Sequence, residues 1–480
     1  MKIPPPTSKP RLTAKLISHL GKTSLVTLIF CLLTTHSLLA ADTNFRLATF
    51  SADVTPPLGH TLFTGGWKKA ESILSPLEAR GFVLLPPAAK PVVFCAIDWS
   101  EIRNDAHQRW REVLAQAAGT SPERVMICAI HQHDTPLADL AAQRILERYQ
   151  SPHQVIDLDF HERSVQAVAT ALRESLRSKQ IVTHIGNGQA KVEKIASNRR
   201  YLLDDGTIKY DRGSACRIPA AQAASEGIID PFLKTLSFWN EDKALCALSI
   251  YATHPMSYYQ TQKVNPDFPG IARARRQKDD AAVFQIFANG AAGNVTAGKY
   301  NDGQHENRAV LADRLYQGML KAWKNTKKQT LTSLDFRQEI VKFSPNQRPG
   351  LERDYLIQVL SKEGDARRHG MAAISLSWLE RAEKEGGQGL INLPLFEFNQ
   401  GQSQLLLLPA EIYVEYQLFA QKQRPDSFVM TAGYGQCAPG YIPLERHREE
   451  KDGNLHSWCW VAPGIEPVLK KAIADVIKGK

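Results

Sequence analysis

The chain has 480 residues, 43% hydrophobic and 22% charged. This ordinary globular composition excludes a low-complexity or fibrous protein and allows one large domain or two medium ones. The formal charge is +10, but five positives lie within the first 22 residues. The remainder carries 54 basic against 49 acidic residues, with no basic run or basic helix, so no nucleic-acid partner is expected.

In chain order, "MKIPPPTSKPRLTAKLISHLGK" is basic and has no acid, and "TSLVTLIFCLLTTHSLLA" is apolar and ends near small residues. The pattern predicts a signal peptide over residues 1–40, too short in its apolar part for a membrane span, and an exported protein. Residues 41–480 are then expected to form a single domain. "GFVLLPP" and "KPVVFCAIDW" read as a strand pair, and "NDAHQRWREVLAQAAG" as an amphipathic helix ending at Gly119. "RVMICAI" is a buried strand leading into His131, followed by the helix "FHERSVQAVATALRESLRS". "ALCALSIYAT" is a strand leading into His254, and "AAVFQIFA" one leading into Asn289 and Gly290. "ENRAVLADRLYQGMLKAWKN" reads as a helix. "LINLPLFEFNQGQSQLLLLPAE" reads as two strands about a turn, "EIYVEYQLFAQKQ" as a helix and "SFVMTAG" as a last strand. No internal repeat is legible. Of the cysteines past the leader, Cys95 and Cys128 lie in apolar strands and read as core. Cys437 and Cys459 flank a loop-rich segment where an exported protein could carry a disulfide.

The polar candidates share one position, just past a buried strand, where α/β sheets place their ligands. His131 and His133 in "ICAIHQHDTP" are two residues apart on an extended chain and point the same way. The pair suits two ligands of one ion, one ligand beside an acid–base group, or plain hydrogen-bonded surface histidines. His254 in "SIYATHPMSYY" repeats the strand-to-histidine pattern. Glu411 in "QLLLLPAEIYVEY" is either a ligand or a carboxylate opening a helix N-terminus. Two histidines and a carboxylate from separate strands, with an open fourth position, form a common catalytic zinc set.

Several segments, in order over about 400 residues, resemble the catalytic domain of the neutral ceramidase family. They are "ATFSADVTPPLGHTLFTGG", "LSPLEARGFVL", "PVVFCAIDW", "ICAIHQHDTP", "ASNRR", "IYATHPMSYY", "FANGAAGNVTAG", "LLPAE" and "APGYIPLERHREE". The resemblance implies an α/β fold, with a large mixed β-sheet domain flanked by helices, and places the family's C-terminal immunoglobulin-like domain outside this chain. It implies one Zn2+ held by His131, His254, Glu411 and Tyr441, with His133 and Arg199 facing the reaction centre and Asn198 near the substrate. The family's Asp and Ser are replaced by Asn294 and Thr296, which are expected to bind substrate, while Asp134 adds a carboxylate after the histidine pair. The expected activity is hydrolysis of an amide in ceramide or another N-acyl compound, with His133 or Asp134 moving the proton and Arg199 and Tyr441 steadying the oxyanion. The alternatives are a zinc hydrolase of a non-lipid amide or ester, and a non-catalytic exported binding protein of the same fold. The expected partner is a small-molecule or lipid amide, compatible with peripheral contact at a membrane surface. Oligomeric state is not legible.

Overall fold

The structure is a computed structural model that describes residues 43–63 and 67–479, with Met1. The expected signal peptide lies outside the described residues. Residues Thr43–Lys480 form one compact unit. No described helix is long and apolar enough to cross a membrane.

Three mixed sheets flanked by helices are built on one repeated plan. In the first, β1 (Phe45–Asp53), β2 (Glu78–Leu85) and β3 (Val92–Ile97) run antiparallel. Helix α1 (Asn104–Ala118) then crosses over to β4 (Val125–Ala129), which lies parallel to β3, and α2 (Leu158–Ser175) packs back on β1. The second set repeats this with β5 (His184–Lys191), β6 (Phe232–Asn240) and β7 (Lys243–Tyr251). Helix α3 (Asp267–Asp279) leads to the parallel β8 (Phe284–Asn289), and α4 (Asn307–Lys324) returns onto β5. The third contains β9 (Leu334–Phe343), an inserted helix α5 (Ala366–Lys384), β10 (Gly389–Phe398) and β11 (Ser403–Leu407). Helix α6 (Val414–Gln423) reaches the parallel β12 (Phe428–Ala432), and α7 (Ile465–Lys478) packs on β9.

The three sets form a topological repeat that leaves no legible repeat in the sequence. The repeat lives in strand order rather than in residue identity. Long inserts, such as residues 140–157 and 197–230, break any fixed sequence period. The inner strands of each set are almost wholly buried, as in "VVFCAI" of β3, because helices cover one face and a neighbouring sheet covers the other.

The plan also explains where the chemistry gathers. The three parallel pairs end side by side: Ala129 N donates to Tyr434 O at 3.0 Å, and Gly433 N donates to Asn289 O at 2.8 Å. The last ladder partners are Ile97 with Ala129, Tyr251 with Asn289, and Leu407 with Ala432. Glu101 and Glu411 each lie four residues past the third strand of a set, and His131 and Tyr434 each lie two residues past the fourth.

Cys95 and Cys128 are buried core residues, as expected. Cys437 and Cys459 are buried free thiols, not a disulfide. Their sulfurs face the carbonyls of Gly435 and Val461 instead.

Two buried histidines of the first set make stability pH-dependent. His107 on α1 and His161 on α2 are held neutral, burial pushing them down to about 3 and about 4. The unfolded chain binds their protons near pH 6.5, so their contribution is complete above that pH and is lost as pH falls towards 4. Each should contribute a slope of roughly 1.4 kcal/mol per pH unit in that window. Urea midpoints measured between pH 7 and pH 5 should fall, and should fall less in His161→Phe, whose unpartnered Nε2 packs against Trp110.

Candidate metal centre

Each candidate ligand is delivered by the end of a different parallel pair. His131 follows β4 in the left-handed region, with φ of 74°, a conformation that disfavours a side chain and is retained where surrounding structure forces it. His254 follows β7, and its backbone N donates to Val295 O. Glu411 follows β11 after Ala410, which has φ of 51°, and pairs in parallel with Tyr441. A Cβ on Gly293 would lie 2.1 Å from Glu411 O. Only glycine admits the 290–294 loop so close to the strand carrying Glu411.

The polar atoms then converge without a donor among them. His131 Nδ1 is 2.8 Å from Ser100 O, and His254 Nδ1 is 2.9 Å from Ala292 O. A carbonyl can only accept, so both protons sit on Nδ1 and both Nε2 atoms present lone pairs. Those lone pairs are 3.2 Å apart. Glu411 Oε2 is 3.1 Å from His131 Nε2 and 3.3 Å from His254 Nε2. Two ligands about 2.0–2.1 Å from a tetrahedral ion are about 3.3 Å apart. Three mutually repelling acceptors at that spacing, with their outer nitrogens fixed by backbone carbonyls, are the arrangement a bound cation needs. The residues therefore fit a metal ion.

Electrostatics agree with this. Burial opposes the charge of Glu411, yet His131 and His254 hold its carboxyl well below the usual range. Burial, then Arg199, pushes His254 down to about 4. Burial would lower His131 as well, but Glu411 and Glu101 outweigh it and the net direction is upward.

His133 is the third imidazole. Its ring lies 5.0 Å from that of His131 and 5.7 Å from that of His254. The nearest ligand atoms of the three rings all lie within 4.8 Å of one another. Neither nitrogen of His133 has a hydrogen-bond partner. Burial, with the two neighbouring imidazoles, holds its pKa well below 6.5. Phe63 and Tyr259 each stand 5.4 Å from the ring, and Trp458 packs against Phe63 at 5.0 Å.

Arg199 enters from the short strand Ser197–Asn198, which pairs with Val295–Thr296. Its Nη1 donates to Tyr441 Oη at 2.7 Å and to Asn454 Oδ1 at 3.3 Å, and its Nη2 lies 3.4 Å from His254 Nε2. Nε has no partner, and no carboxylate pairs with this guanidinium among the described residues. The group is a buried cation with a neutral escort, aimed at the metal position.

The other sequence candidates lie close by with their polar atoms engaged elsewhere. Asp134 accepts from Gln260 N, Thr261 N and Thr261 Oγ1, and so pins the loop that carries Tyr259. Asn294 accepts from Val414 N and donates to Glu415 Oε2, both at 2.9 Å. Thr296 donates to Arg212 O at 3.1 Å. Asn198 donates to Ile228 O and accepts from Arg200 N.

Two site residues escaped the sequence reading. Tyr434 stacks on His131 with centroids 4.5 Å apart, and its buried hydroxyl has no partner. It follows the strand "SFVMTAG", so the strand-end rule that picked His131 applied to it as well. Glu101 joins His131 and Glu411 in a second group able to hold a metal. Burial, against the attraction of Arg103, raises its pKa to about 7. Its oxygens also take Trp458 Nε1 at 3.2 Å and Arg103 Nη1 at 2.7 Å. Arg103 lies between Glu101 and Asp139 and donates to the carbonyls of Cys437 and Ala438. Arg103→Met should cost about 3–5 kcal/mol, because two buried carboxylates lose their cation. Chemical denaturation at neutral pH measures this.

No family profile and no curated protein matches the chain in sequence. Solved structures do match in shape. The neutral ceramidase from Pseudomonas aeruginosa superposes with a TM-score of 0.66, over 91% of this chain and 74% of that one, at 18% identity. A ceramidase complexed with C2 gives the same score and identity over 91% and 75% of the two chains. The three-sheet architecture that gathers these ligands is therefore the neutral ceramidase fold.

Proposed function

We propose that this chain is an exported zinc-dependent hydrolase that cleaves the amide bond of an N-acyl compound. His131, His254 and Glu411 would hold the ion, with Tyr441 as a fourth or exchangeable donor. The observation that carries the reading is the convergence of three acceptor atoms whose outer nitrogens are fixed by backbone carbonyls. When bound, zinc supplies an activated water and polarises the carbonyl under attack.

The chain's own groups do the rest. His133 is neutral and unpartnered, so one ring nitrogen can take a proton and return it to the departing amine nitrogen. Arg199, with Tyr441 at 2.7 Å, steadies negative charge growing on the carbonyl oxygen. Phe63, Tyr259 and Trp458 form an apolar wall beside His133, which suits an acyl chain. The basic, apolar leader supports export.

The commitments of Asn294 alter the expected effect of restoring the family's acid. Asn294→Asp would place a carboxylate where the amide now donates to Glu415 at 2.9 Å. The substitution should destabilise by about 1–3 kcal/mol and give no gain in ceramide cleavage. Melting temperature and a ceramide assay on the same sample check both parts.

The reading is tested by assaying ceramide, N-acyl amino acids and N-acyl sugars before chelation, after chelation and after zinc is returned. Amide cleavage that disappears and returns with the metal supports it. Cleavage indifferent to chelation, or no cleavage of any N-acyl compound by zinc-loaded protein, would contradict it.

A further inference from the structure

Away from the metal centre, a cavity of about 450 Å³ opens between α1, α5 and the ends of β10 and β11. That is within the roughly 300–1,000 Å³ range of small-molecule sites. Its floor is apolar and includes Val125, Ile391, Leu407, Leu408 and Pro409. Ile340 and Leu390, 55% and 38% exposed, stand at its wall, where exposed large aliphatic side chains are otherwise unfavourable.

The charges around it are unequal once their partners are counted. Three acids line the cavity, and all are engaged. Asp105 accepts from Ala141 N at 3.0 Å and Arg144 at 2.7 Å. Glu380 accepts from Arg148 at 2.7 Å. Glu385 accepts from Arg381 Nε at 3.1 Å and Leu390 N at 2.6 Å. Arg381 is also bound, through Nη2, to Leu390 O at 2.6 Å. Arg111 is different: its Nε donates to Pro122 O at 2.9 Å, but Nη1 and Nη2 have no partner among the described residues. Lys384 has none there either. The Nη atoms of Arg111, which Glu123 and Glu112 attract without a hydrogen bond, and the Lys384 ammonium therefore remain as free donors beside a space with an apolar floor.

We propose that this cavity is a binding site for an anionic amphiphile, an alkyl carboxylate whose head meets Arg111 and Lys384 and whose chain covers the aliphatic floor. The electrostatics of the neighbourhood support it. Burial lowers the pKa of Arg111 although Glu123 and Glu112 attract it, Arg381 adds to the lowering, and burial with both arginines lowers His107 to about 3. An anion at the free Nη atoms of Arg111 would offset its burial and the repulsion His107 feels from both arginines. The site does not depend on the hydrolase reading, although Leu407–Pro409 lead directly into Glu411 and Gln436 lines the cavity two residues from Ala438.

Calorimetry of the full mature chain with dodecanoate, below micelle formation, tests this. Dodecan-1-ol and dodecyltrimethylammonium serve as neutral and cationic counterparts. The expected result is one dodecanoate site that survives His131→Ala, which separates it from any binding at the metal centre. Arg111→Gln should weaken it roughly 10–100-fold, the range for a hydrogen bond to a charged group. Leu390→Glu, on an exposed wall position, should weaken it at least as much and decides the matter should Arg111→Gln fold poorly. Absence of binding to the wild type, equal binding of the cationic amphiphile, loss in His131→Ala, or indifference to both cavity substitutions would overturn the proposal.

Discussion

Replacing His131 with alanine is expected to remove the metal ion and to lower amide hydrolysis by more than roughly 100-fold, the upper end of what losing a ligand's supporting hydrogen bond costs. His131 contributes one of the three acceptor atoms, and the other two, His254 Nε2 and Glu411 Oε2, stay 3.3 Å apart as an incomplete set. His254→Ala should behave in the same way. Stability should move oppositely. His131 sits at φ of 74°, a conformation that glycine adopts without a steric penalty. His131→Gly relieves that strain, so the metal-free variant should melt at or above the temperature of metal-free wild type. Metal content and melting temperature measured together separate loss of a ligand from misfolding. A variant that keeps full metal and full activity would displace His131 from the site.

The second large effect is at His133. His133→Ala should retain the ion, because His131, His254 and Glu411 remain, yet lose roughly 10²–10⁴-fold in turnover, the range for a positioned acid–base group. Neither ring nitrogen of His133 has a competing partner, so the half-buried imidazole is free to take and return a proton. Its aromatic neighbour Phe63 should stay in place after truncation, since it keeps its packing against Trp458, and the loop carrying Tyr259 stays pinned by Asp134. If the variant loses its metal instead, His133 is a ligand and the donor set is three imidazoles and a carboxylate.

The shared position of His131, His254 and Glu411 was legible in the sequence for a physical reason. A buried strand that ends abruptly in a histidine or carboxylate puts a polar group where a sheet stops, and His131, His254 and Glu411 all obey that rule. The same rule applied to Tyr434, which hid because a strand-end tyrosine beside glycines reads as a turn. Glu101 hid in "SEIRND", which reads as the polar start of α1 although Glu101 is wholly buried. Asp134, Asn294 and Thr296 were marked by type and position. A sequence cannot show that their oxygens and nitrogens are already used by backbone groups and a neighbouring carboxylate. The threefold plan was invisible because what recurs is the order of antiparallel and parallel pairing, and many unrelated apolar runs satisfy it.

X-ray absorption at the metal edge of the purified protein reads the donor set itself. One ion per chain is expected in a nitrogen and oxygen shell at about 2.0–2.1 Å, with the outer-shell scattering of two imidazoles. A protein that holds no stoichiometric ion, or an ion with sulfur in its first shell from the buried thiols of Cys437 or Cys459, would contradict this donor set.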